Sequence, residues 1–266
     1  MNQTALITGA SSGIGRALAG QFAAHGYDLV LVARNVESLR DVGRALLGSP
    51  RGPDKGRAAN VHVISADLSA PQSGQALADR LKADNIQVDI LVNNAGFGLQ
   101  GEFADLPLDR QIEMIHLNVV TLTELTRRLL PPMLARGAGG VLNVASTAAF
   151  QPGPMMSVYY ATKAYVLSFT EGIAEEVTGR GVKVSCLCPG PTDSSFAERA
   201  GMTATNLFKG ARMKVDDVAR DAFDGWNRGD AVVIPGSANR RGALAVRLLP
   251  RSMVRRIVKR LNSNAS

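Results

Sequence analysis

Tyr159 and Lys163 lie four residues apart in the stretch Ser157-Val158-Tyr159-Tyr160-Ala161-Thr162-Lys163, which reads as the opening of a helix. At that spacing two side chains stack on one helix face. An ammonium beside a phenol favours the phenolate and lowers its pKa from about 10. Tyr159 is therefore a candidate general acid/base for chemistry near neutral pH. Tyr160 is the weaker choice, because only Tyr159 has the lysine four residues on. The same pair is common on solvated helix faces, so its meaning rests on what else the chain carries. A strand-like run from Gly140 to Ala145 delivers Ser146 at its carboxyl end, with Thr147 as a rival hydroxyl.

The elements that must position these groups begin near the N-terminus. Residues from about 3 to 8 read as a strand ending at Thr8-Gly9, and a helix from near Gly13 to about His25 follows, with Ile14, Leu18 and Phe22 on one face. A second strand, Leu29-Val30-Leu31-Val32, completes a βαβ unit. The first turn carries Gly9, Gly13 and Gly15 in the pattern T-G-x-x-x-G-x-G, with Ser11, Ser12 and Ile14 between them. Glycines at such a turn bring backbone N–H groups against a pyrophosphate at the helix N-terminus. A dinucleotide is expected there.

The end of the second strand selects the cofactor. An acid at this point holds a ribose 2′-OH and repels a 2′-phosphate. Here Val32-Ala33-Arg34-Asn35 offers no acid and one arginine. Arg34 can meet a phosphate with paired charge-assisted hydrogen bonds, so NADP(H) is expected over NAD(H).

Strand–helix alternation continues with a helix from about Val36 to Leu47 and a Gly/Pro/charge-rich surface loop over 48–57. A third strand, Val61 to Ser65, ends in Ala66-Asp67-Leu68, and a fourth, Asp89 to Val92, ends in Asn93-Asn94-Ala95-Gly96. Both sets fall at the carboxyl ends of parallel strands, where open α/β sheets bind ligands. A long helical stretch from about Leu108 to Arg136 contains Asn118, and a sixth strand, Val182 to Leu187, runs into Cys188-Pro189-Gly190-Pro191-Thr192-Asp193-Ser194. Residues from about 195 to 213, including Phe196, Met202, Leu207 and Phe208, lack periodicity and read as a mobile lid over an apolar substrate.

These motifs together resemble the short-chain dehydrogenase/reductase family in its single-domain form, over roughly residues 3 to 235. The resemblance implies catalytic roles for Asn118, Ser146, Tyr159 and Lys163, Ser146 being preferred over Thr147 by its separation of thirteen positions from Tyr159. It implies that Asp67 holds the adenine amino group, that Leu68, Asn94, Ala95 and Gly96 line the cofactor, and that Pro189, Gly190 and Thr192 meet the nicotinamide. Lys163 would lower the Tyr159 pKa and bond the nicotinamide ribose, while Asn118 would hold a water linking Lys163 to solvent. Ser194 stands where the family often has Thr. A homodimer or homotetramer formed through the long helices is also implied.

Composition is that of an ordinary globular protein, 45% hydrophobic and 20% charged over 266 residues. No apolar run reaches the roughly 18 residues that span a bilayer, and the N-terminus lacks a secretory pattern. Cys186 and Cys188 are assigned to opposite faces of the sixth strand and not expected to pair, and His25, His62 and His116 form no metal cluster with them. The expected setting is reducing, cytoplasmic and metal-free.

The net charge of +7 is concentrated in the tail, where eight Lys/Arg follow Gly236 with no acid, leaving 22 basic and 23 acidic residues elsewhere. Leu244, Leu248, Leu249, Met253, Ile257, Val258 and Leu261 recur at three- and four-residue steps, with Pro250 as a break or new start. Packing of this stripe on the lid or on a second subunit is the favoured reading. A location peripheral to the inner face of a membrane is the alternative. Nucleic acid is not expected, since the tail has no aromatic platform.

The expected architecture is a Rossmann-type, doubly wound α/β domain over 1–235 with a mainly parallel sheet, a last strand from Ala231 to Ile234, and a basic amphipathic helical extension over 236–266. The expected function is hydride transfer between NADP(H) and a carbonyl/alcohol pair. The competing reading is a non-catalytic NADP(H)-responsive binding or scaffold protein.

Overall fold

The computed structural model describes residues 2–47 and 60–264; the loop expected over 48–57 lies outside them. The chain runs through β1 (Thr4–Thr8), α1 (Gly13–Ala24), β2 (Asp28–Ala33), α2 (Val36–Leu47), β3 (Val61–Ser65), α3 (Ser73–Ala83), β4 (Ile90–Asn93) and α4 (Leu108–Ile115). It continues with α5 (Leu122–Arg136), β5 (Gly139–Val144), α6 (Ser157–Glu176), β6 (Val182–Leu187), α7 (Phe196–Arg199), α8 (Asn206–Lys209), α9 (Val215–Arg228), β7 (Val232–Val233), α10 (Ser237–Leu248) and α11 (Arg251–Asn262). The strands form a parallel sheet in the order β3-β2-β1-β4-β5-β6-β7.

Apolar runs become central strands here because both faces of the sheet are covered. Successive side chains alternate between faces. Ala5 and Ile7 of β1, with Leu29 and Leu31 of β2, join the core beneath α1 and α9, around Phe22, Phe223 and Trp226. Leu6, Val30 and Val32 point the other way, to Leu81, Leu125 and Met133 of α3 and α5.

The strand order also dictates where a ligand can sit. The chain winds outward from β1 to β3, then returns to place β4 on the other side of β1. The connections leaving β1 and β4 therefore part in opposite directions and open a crevice at their carboxyl ends.

Four details depart from the sequence expectations. Cys186 and Cys188 share a face, with Sγ atoms 3.8 Å apart and both thiols buried and free; the alternation of a strand returns to the same side every second residue. The expected helix from Leu108 to Arg136 is interrupted by a π-helical turn at His116–Thr121, which holds Asn118. The last strand is confined to Val232–Val233. The lid region contains α7 and α8; the tail, as expected, breaks at Pro250 into α10 and α11.

Candidate active site

A cavity of about 720 Å³ runs along the carboxyl ends of the strands. Its lining follows the sheet order: Asp67 and Leu68 after β3, Arg34 after β2, Gly9 to Ile14 after β1, Asn94 to Gly96 after β4, Ser146 after β5 and Pro189 to Thr192 after β6. Fifteen expected site residues are thus strung along one crevice because each strand ends at the same edge.

The turn after β1 is built for a close neighbour. Gly9 has φ +66°, in the left-handed region that glycine adopts freely. At Gly15 a Cβ would stand 2.3 Å from the Gly9 carbonyl oxygen and 2.4 Å from Asn94 Nδ2, so only glycine lets α1 start this close to β1. The Thr8 hydroxyl accepts from the N–H groups of Asn94 and Ala95, each at 3.0 Å. Asn94 Nδ2 donates back to Thr8 O at 2.9 Å. Thr8 and Gly15 therefore shape the turn, and neither lines the cavity as a cofactor contact.

At the β2 end, Arg34 and Arg110 both line the cavity. Hydrogen bonds from Ser69 hold the Asp67 carboxyl below its usual range, with further help from Arg34 and Arg110. Ser38, in the first turn of α2, lines the same end and was not anticipated. Its N–H binds Asn35 Oδ1 at 3.0 Å. Neither Ser38 nor Arg110 belongs to a recognisable spacing pattern.

At the other end, Ser146, Tyr159 and Lys163 come together from β5 and α6. The Ser146 hydroxyl accepts from Ala148 N–H at 3.1 Å and lies 3.4 Å from Pro189 O. Lys163 Nζ donates to Val144 O at 2.8 Å and lies 5.8 Å from the centre of the Tyr159 ring. Burial pushes the Tyr159 phenol well above its ordinary value, with the Ser146 hydroxyl pulling the other way. Burial also lowers Lys163 from its ordinary 10.5 to about 8. In the protein alone, burial outweighs the Ser146 hydrogen bond, so the Tyr159 phenol lies above its ordinary value and not below it as expected.

Asn118 does not reach the cavity. Its side chain accepts from Phe97 N–H at 3.2 Å and donates to Phe97 O at 3.0 Å and Thr162 Oγ1 at 3.1 Å. It braces the segment after β4 against α6, one residue from Lys163. Asn93 extends the bracing: its Nδ2 donates to Asn143 at 2.9 Å and to Thr126 at 3.0 Å, and Asn143 passes the chain on to Thr170. These buried amides are hydrogen-bonded, as interior polar groups generally are.

Beyond Tyr159 the cavity wall turns apolar, with Phe196, Met202, Leu207, Phe208 and Leu261. The tail closes this end. Asn262 is fully buried, accepts from the Tyr160 hydroxyl at 3.1 Å and donates to Pro154 O at 2.9 Å. Asn206 of α8 donates to Arg260 O at 2.9 Å and Ser263 O. A segment expected as a mobile lid is therefore pinned beneath α11, with Val254 and Val258 in the same apolar cluster as Met202 and Phe208. This agrees with packing of the tail on the lid. The Tyr160–Asn262 contact escaped the sequence because 102 residues separate its partners.

A parallel doubly wound sheet, a glycine turn at its switch point and a Ser–Tyr–Lys group along the same crevice define a dinucleotide-dependent oxidoreductase fold. The short chain dehydrogenase family model matches residues 3–204, and the chain belongs to this family of oxidoreductases. Dehydrogenase/reductase SDR family member 7B of Mus musculus is 31% identical, covering 100% of this chain and 84% of its own. A short-chain dehydrogenase from Sphingobium yanoikuyae, solved in complex with NADPH, is 35% identical with a TM-score of 0.79, covering 91% of this chain and 92% of its own. A bulky-bulky ketone specific alcohol dehydrogenase from Comamonas testosteroni is 30% identical with a TM-score of 0.76, covering 92% of each chain.

Proposed function

We propose that the protein is an NADP(H)-dependent reductase of an apolar carbonyl compound, with Tyr159 as the proton donor. The observation that carries this reading is the shared crevice, which has Arg34 at one end and Ser146, Tyr159 and Lys163 at the other. Left-handed Gly9, and the close start of α1 that Gly15 permits, fit a pyrophosphate lying against the N-terminus of α1. The NADPH complex of the Sphingobium relative supports the same cofactor.

When bound, NADP(H) supplies the hydride chemistry at its nicotinamide. Ser146 holds the substrate oxygen by a hydrogen bond. Tyr159, kept protonated by burial, donates its proton to that oxygen as negative charge develops there. Lys163 provides a positive charge beside the phenol and a donor for the ribose hydroxyls. Asn118 supports both through Thr162 and Phe97, and the proton path attributed to it remains part of this reading. Apolar lining from Phe196, Met202, Leu207 and Phe208 favours an apolar carbonyl compound. The test is NADPH oxidation against aliphatic aldehydes, ring ketones, quinones, steroids and 3-oxoacyl thioesters; consumption of none of them, with NADPH bound, would favour the binding-protein reading.

Cofactor choice rests on Arg34. Arg34→Ala is expected to weaken NADPH binding about 10- to 100-fold, the range for charge-assisted hydrogen bonds, and to leave NADH binding unchanged. Titration of protein fluorescence with each cofactor measures both, and an unaltered ratio would move the selection to Ser38 or Arg110.

The subunit reading is a homodimer or homotetramer. Phe103, Leu108, Ile112, Ile115, Val120 and Tyr165 are large apolar residues left exposed on and around α4, the π turn and α6. Such a patch on a soluble fold marks an interaction surface. Light scattering is expected to give a multimer, and a monomer at micromolar concentration would remove this reading.

A further inference from the structure

The tail helices carry two largely exposed faces. On α10, Ala243 is buried with Asn239 and Val246 turned inward, and the opposite face presents Leu244 and Leu248, 60% and 80% exposed. On α11, Val254 and Val258 are buried, and the column Met253–Ile257–Leu261 runs beside them, 50%, 46% and 37% exposed. At about 100° per residue, Arg241 flanks the α10 leucines on one side and Arg240 and Arg247 on the other. Arg256 and Arg260 form the next column out on α11. All eight tail cations are exposed, and none pairs with an acid among the described residues.

We propose that these two faces dock on an anionic lipid bilayer, with Leu244, Leu248, Met253 and Ile257 entering the interface and the arginines meeting lipid phosphates. Charge complementarity selects the surface, since eight cations and no acid lie between residues 236 and 266. Exposed leucines ringed by arginine are the pattern of a helix lying in the membrane interface. A nucleic acid would use the charge and leave the leucines in water. A second copy of the chain meeting this face about a two-fold axis would oppose the eight cations with the same eight. Each helix has 12 residues, and no helix among the described residues is long and apolar enough to cross a membrane, so the tail lies on the surface. Leu261 belongs to the outer column and also lines the cavity, so the bilayer would rest against the wall of its apolar end.

Flotation of the full chain with vesicles tests this without reference to turnover. Vesicles of phosphatidylcholine containing phosphatidylglycerol are expected to carry the protein upward, and vesicles of phosphatidylcholine alone are not. Leu244→Ser with Leu248→Ser, and separately Arg241→Gln with Arg247→Gln, are each expected to weaken association about tenfold or more. None of the four residues lines the cavity, so NADPH binding and the melting temperature serve as controls for folding. The proposal is overturned if the wild type floats with neither vesicle, or if the serine variant floats undiminished. Tighter binding to double-stranded DNA than to anionic vesicles at the same salt would also overturn it.

Discussion

Tyr159→Phe is expected to lower the rate of carbonyl reduction by about a hundred- to ten-thousand-fold, the contribution of a positioned general acid. Only the hydroxyl is removed. The ring stays in its apolar surroundings, 5.4 Å from the Phe196 ring and 6.1 Å from that of Tyr160, so packing is preserved. The Tyr159 phenol is already costly to ionise where it lies, so the variant loses a proton donor and gains no charge. On the proposed reading cofactor affinity rests mainly on the distant Gly9–Gly15 turn and on Arg34, so it is expected to stay near wild type. Stopped-flow turnover beside equilibrium NADPH binding separates the two quantities. Retained turnover would transfer the acid role to another group, with Ser146 the nearest hydroxyl.

Lys163→Met is expected to trade activity for stability. The ammonium is buried and bonded to Val144 O, and burial lowers its pKa from 10.5 to about 8. A shift of that size costs folding about 3 kcal/mol while the group is protonated. Losing its bond to Val144 O returns about 1 kcal/mol, so the Met variant should be about 2 kcal/mol more stable at pH 7. That corresponds to a rise in Tm of about 4 to 8 °C for a domain of this size.

The sign of the pH dependence is specific. Between pH 8 and 10.5 the unfolded wild type binds more protons at this site than the folded one, so wild-type stability gains with pH. The advantage of the variant therefore shrinks through that window and is absent above it. Turnover should meanwhile fall by about a hundredfold, as when one preorganised donor is removed. Melting curves from pH 7 to 10 measure the first effect. A gap that does not narrow would mean that Lys163 is not paying a burial cost.

Short-range spacing determined much of this protein. Gly9, Gly13 and Gly15 in a strand-to-helix turn, Tyr159 and Lys163 one helical turn apart, and apolar runs divided by turns each depend on contacts within a few residues. The backbone repeats of helix and strand translate such spacings directly into geometry, so the fold class and most of the crevice were legible. The position of Arg34 in the crevice was legible for the same reason, since it stands at the end of a strand that follows the glycine turn.

Tertiary packing decided the rest. Asn262 reaches Tyr160, and Leu261 lines the apolar end of the cavity, only because α11 folds back over α8, and no local pattern in a tail of arginines and leucines announces it. The protonation of Tyr159 and Lys163 is likewise a property of their surroundings. Spacing tells that the two groups are neighbours, but burial of both in one crevice makes the charge of each expensive. Attraction between neighbours can be read along a chain, whereas the loss of water around them is collective and exists only once the whole chain has packed.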